Sequence, residues 1–113
     1  MQTPTELRLS PDKKILTVTF GLARYVLAAE YLRVESPSAE VKGHGPHDAR
    51  LVVGKQDVTI TGLEPVGNYA VRIVFSDGHN TGLYTWATLA QLGQEHPERW
   101  ATYLQKCATV QKT

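Results

Sequence analysis

At 113 residues the chain is long enough for one domain with a single hydrophobic core, and 42% hydrophobic with 20% charged residues excludes a disordered or fibrous composition. A formal net charge of +1 leaves no global field to draw the chain to nucleic acid or to an anionic membrane surface. One cysteine, Cys107, excludes an internal disulfide and a cysteine-rich metal site, and it fits a reducing compartment.

The N-terminal segment MQTPTELRLSPDKK has no apolar signal-like core, and no apolar run approaches the ~20 residues of a membrane span. A cytoplasmic protein is expected. Residues 6–10 alternate Leu7 and Leu9 with Glu6 and Arg8, and Pro11-Asp12-Lys13-Lys14 is turn chemistry. Ile15–Phe20 then places Leu16, Val18 and Phe20 on one face, which completes a first hairpin. Gly21 ends that strand, residues 24–27 return as a short strand, and residues 28–34 form a short helix by propensity. Ser36-Pro37-Ser38 stops it.

Residues 36–57 are the least regular stretch, with the Gly- and His-rich loop VKGHGPHD at their centre. Residues 51–53 and 58–63 are strand candidates, separated by the turn-like 54–57 and followed by a lead-in at 64–68. The best-patterned stretch is residues 69–93. Tyr69, Val71, Ile73 and Phe75 alternate with Ala70, Arg72 and Val74, the period of a half-buried strand. Asp77-Gly78 reads as a two-residue hairpin turn, and Leu83 and Tyr84 as the return strand. Thr85 caps a helix whose apolar positions are Trp86, Leu89 and Leu92, with Gly93 ending it. A last helix opens at Pro97 and aligns Trp100, Tyr103, Leu104 and Cys107 on one stripe; residues 108–113 are expected to fray.

The segments LTVTFGLARYVLAAEYL and VRIVFSDGHNTGLYTWATL share one plan: a strand ending in Phe, a turn, an aromatic return strand and a helix carrying Leu. Phe20 to Leu32 is twelve residues and Phe75 to Leu89 is fourteen. A duplicated β-β-α unit and a short coincidence both account for the echo. The expected architecture is α+β: two layers, a mainly antiparallel sheet, and short helices on one face. Leu16, Val18, Phe20, Val71, Ile73, Phe75, Leu89 and Trp100 should share one core.

Two runs in the same order, YLRVESPSAEVKGHGP and FSDGHNTGLYTWATL, resemble the N-terminal domain family of gamma-butyrobetaine hydroxylase-like proteins. Small bacterial members of that family stand alone as domains of unknown function. The likeness covers nearly the whole chain, read as one domain over residues 1–113. It implies an α+β fold and relatives fused to 2-oxoglutarate oxygenases or to Mrp-type ATP-binding iron–sulfur cluster carriers. In the oxygenase relatives the domain resembles a zinc module, with three cysteines after a W-L-R-type segment and one histidine after an acidic turn. Here that segment is Tyr31-Leu32-Arg33, the cysteine positions fall on Ser36, Ser38 and Val41, and only His79 matches the ligand histidine. Serine and valine do not replace thiolates around structural zinc, so no cofactor is expected to be needed for folding. The resemblance implies that the oxygenase iron site belongs to a separate catalytic domain, which is not expected among these residues.

Other candidates are weighed on the residues alone. His96-Pro97-Glu98 spells half of an iron-binding triad, but no second histidine completes it, and Pro97 more simply opens a helix. Cys107 on an apolar stripe reads as a buried, inert thiol. Glu35 and Asp77 would make a carboxylate pair only if the fold joined them. Two glycine-bearing loops remain, with His44 and His47 in one and Asp77 and His79 in the other. Arg33 leads toward the first and offers a fixed cation for a carboxylate or phosphate. Arg33, His44, His47, Asp77 and His79 are therefore the candidate binding patch.

Three function classes follow. The favoured one is a non-enzymatic accessory module that binds a protein partner of iron–sulfur carrier or oxygenase type, linked to iron–sulfur or other metal handling. The alternatives are a domain holding a weakly bound transition metal at His44, His47 and His79, and a small enzyme with a pocket between the two loops. Neither nucleic acid nor membrane is an expected partner, and oligomeric state is not encoded in any motif.

Overall fold

The computed structural model describes residues 3–36, 55–80 and 82–111, the last three of these by backbone alone. Two antiparallel three-stranded sheets carry the fold. In the first, β1 (Glu6–Leu9), β2 (Ile15–Phe20) and β3 (Ala23–Ala28) lie in that spatial order and lead into α1 (Ala29–Val34). In the second, β4 (Ile60–Val66), β5 (Ala70–Phe75) and β6 (Leu83–Thr85) lead into α2 (Trp86–Gln94). α3 (His96–Gln111) follows. The expected α+β class holds, and each half is longer than the β-β-α echo by one strand.

The first hairpin forms where turn chemistry places it. Ser10 Oγ lies 2.5 Å from Asp12 Oδ1 and accepts the Ile15 N–H at 3.1 Å, while Lys13 takes up a positive φ of 63°. Phe20 pairs with Ala23, so Gly21-Leu22 is a two-residue loop with glycine in its positive-φ first position. Leu16, Val18 and Phe20 point inward from β2 as their alternation requires. They meet Val71, Ile73 and Phe75 from β5 and Leu89 and Leu92 from α2 in a single cluster, with Trp100 packed at its edge. Burying residues of this size contributes roughly 1.5–3 kcal/mol each.

Four local expectations are corrected. β4 continues through Glu64, Pro65 and Val66, because it is an edge strand, where a residue without an N–H is tolerated. Tyr69 consequently sits in the β4–β5 turn and is exposed, and Ala70 instead is buried beside Val71. Asp77-Gly78 is not a two-residue hairpin turn: the Phe75 carbonyl accepts the Gly78 N–H at 3.0 Å and the Phe75 N–H donates to the His79 carbonyl at 2.9 Å, so three residues, 76–78, close the turn with Gly78 at positive φ. Gly93 does not end α2. It lies inside the helix, where a Cβ would stand 2.3 Å from Cγ of Tyr25, so the close packing of the β3 tyrosine demands glycine there.

The helix ends are fixed by side chains. Thr85 caps α2 as its sequence promised, accepting the Thr88 N–H at 3.1 Å. The Tyr31 hydroxyl donates to the Leu92 carbonyl at 2.7 Å, and the Tyr84 hydroxyl donates to the Leu32 carbonyl at 2.5 Å. Each satisfies a carbonyl in a last helical turn that has no intrahelical donor. α3 buries Tyr103 and Cys107, leaves Leu104 exposed, and continues as helix to Gln111, past the point where fraying was expected.

Candidate functional site

The polar groups converge where the end of α1 meets the β5–β6 connection. Arg33 is the basic residue in the last turn of α1, and Ser36 follows just beyond the helix. Opposite them, Asp77 Oδ1 accepts the N–H of His79 at 3.1 Å, and the Phe75 N–H donates to the His79 carbonyl at 2.9 Å. Gly78 completes the turn at a φ of 92°. Ser76 ties it to the second sheet's approach: its N–H donates to the Thr59 carbonyl at 2.9 Å, and its Oγ accepts the Thr59 N–H at 3.0 Å.

Side-chain contacts here add to the Tyr84–Leu32 hydrogen bond in joining the halves of the chain. Ser36 Oγ lies 2.9 Å from His79 Nε2, with the residues only 1% and 7% exposed. Asp77 Oδ2 accepts from Arg33 Nε at 2.8 Å and from Lys55 Nζ at 2.7 Å. Burial alone would push the Asp77 carboxyl up, but the hydrogen bonds from Lys55, the His79 N–H and Arg33 outweigh it and hold it down at about 2. Gly82 lines the same place, since a Cβ there would stand 2.6 Å from Ser36 Oγ. Burial also raises the Tyr84 hydroxyl above its ordinary range.

The gamma-butyrobetaine hydroxylase-like N-terminal family profile matches residues 7–90. The chain belongs to this family. Among solved structures, one determined by solution NMR is 44% identical, with a TM-score of 0.84 over 97% of this chain and 87% of its own. A second NMR structure is 41% identical, with a TM-score of 0.82 over 98% and 83%. A crystal structure of a protein of unknown function of the DUF971 family from Acidithiobacillus ferrooxidans is 37% identical, with a TM-score of 0.67 over 80% and 92%. No curated protein matches.

Family membership gives meaning to the Ser36–His79 contact. Ser36 and His79, two positions that the resemblance to zinc-bearing relatives would assign to metal ligands, are in direct contact. The donor set does not fit zinc: Ser36 and Ser38 offer alcohols and Val41 offers no donor. Ser38 and Val41 lie outside the described residues, as do His44 and His47. Among the described residues no three His, Cys, Asp or Glu side chains gather as a metal site.

Of the five patch candidates, the structure brings Arg33, Asp77 and His79 together. His79 is buried, not displayed at a loop tip as its polar neighbours suggested, because its ring packs 6.1 Å from Phe75 and reaches Ser36. Lys55 is part of the cluster and was not anticipated; nothing in its local sequence separates it from any other lysine. Glu35 and Asp77 do not pair, as Glu35 accepts from Arg99 Nη1 at 2.9 Å. His96 is a packing residue, 4.6 Å from Tyr31 and stacked on Trp100 at 6.0 Å. Cys107 is a buried free thiol.

Ser36 and His79 have the spacing of a nucleophile and its base, but the other requirements of that chemistry fail. Ser36 is closed to a substrate, and Asp77 binds the backbone N–H of His79 while its outer oxygen is held by two cations. The arrangement is suited to fastening two segments together.

Proposed function

We propose that this chain is a non-enzymatic accessory module that binds a protein partner, linked to iron–sulfur or other metal handling. The observation that supports the reading is the buried Ser36–His79 contact beside the Asp77 clasp. The groups with the greatest chemical potential near one another spend it on each other, leaving a shaped surface as what the domain offers. The family's fusion to oxygenases and iron–sulfur carriers, implied by the resemblance, supplies the kind of partner. No helix among the described residues is long and apolar enough to cross a membrane.

The test is direct binding. Isotope-labelled chain is titrated with an Mrp-type iron–sulfur carrier and, separately, with the catalytic domain of a 2-oxoglutarate oxygenase from the same organism. Saturable shifts with one of them, confined to one face, are expected. Absence of binding to both would remove the proposal.

A further inference from the structure

We draw no further inference here: the strongest candidate, the surface patch on the β2–β3 hairpin where Leu22, Arg24 and Val26 are exposed along an edge strand of the first sheet, carries nothing because nothing in the structure shows what covers it.

Discussion

Ser36 Oγ and His79 Nε2 meet at 2.9 Å although 43 positions separate the residues. The contact joins the segment after α1 to the β5–β6 connection, and it is buried on both sides. The same two segments are joined a second time by Arg33 and Asp77. The two segments are thus held by a buried hydrogen bond and an ion pair.

The core makes the first prediction. Phe75 is 1% exposed at the centre of the cluster that joins both sheets and α2. Phe75→Ala should cost roughly 3–5 kcal/mol in denaturant unfolding, lost burial and a residual cavity together. A cost below about 1 kcal/mol would contradict the register of β5.

Gly93 makes the second, against helix propensity. Exchanging a mid-helix glycine for alanine ordinarily stabilises by about 1 kcal/mol. Here the added Cβ would meet Cγ of Tyr25 at 2.3 Å. Gly93→Ala should therefore destabilise by roughly 1–3 kcal/mol, the scale of overpacking. In a Tyr25→Ala background the same change should become neutral or stabilising, and thermal unfolding of the four proteins checks both signs.

Acid unfolding tests the Asp77 clasp. Its carboxyl is held at about 2 in the fold, below the ordinary ~3.9 of an unfolded aspartate. A depressed carboxyl stabilises the fold above the unfolded value and loses that contribution as pH falls through the folded one. The stability difference between the natural protein and Asp77→Asn should be constant from about pH 5 upward and shrink between about pH 4 and 2. Equilibrium urea unfolding across that range gives the comparison; a difference that vanishes near neutral pH would contradict the ion pairs.

Metal removal is the fourth. With serine and valine at the three thiolate positions, chelator treatment should leave the thermal midpoint unchanged. Stoichiometric zinc in untagged protein, with loss of structure on chelation, would contradict the donor argument.

The sheets and the core were legible because alternation survives in the final packing: Leu16, Val18, Phe20, Val71, Ile73 and Phe75 are buried as their period requires. The errors lie where a local signal competes with a distant contact. Gly93 has the sequence of a helix stop, and only the Tyr25 ring, 68 positions away, explains it inside α2. Pro65 reads as a breaker until the strand is known to be an edge. At the site, Arg33 and Asp77 were named from side-chain chemistry alone. The Ser36–His79 contact and the arrival of Lys55 arise from tertiary placement, which no local pattern records.

The central claim is that the Ser36–His79 pair fastens the fold and that partner binding, not chemistry at that pair, is what the domain does. The most direct measurement is Ser36→Ala, followed in parallel by equilibrium unfolding and by titration with the partner identified for the natural protein. Losing this buried hydrogen bond should cost roughly 0.5–1.5 kcal/mol of stability, while the folded variant binds the partner with unchanged affinity. Unchanged stability with loss of binding, or loss of a turnover that the natural protein shows on its own, would contradict the account.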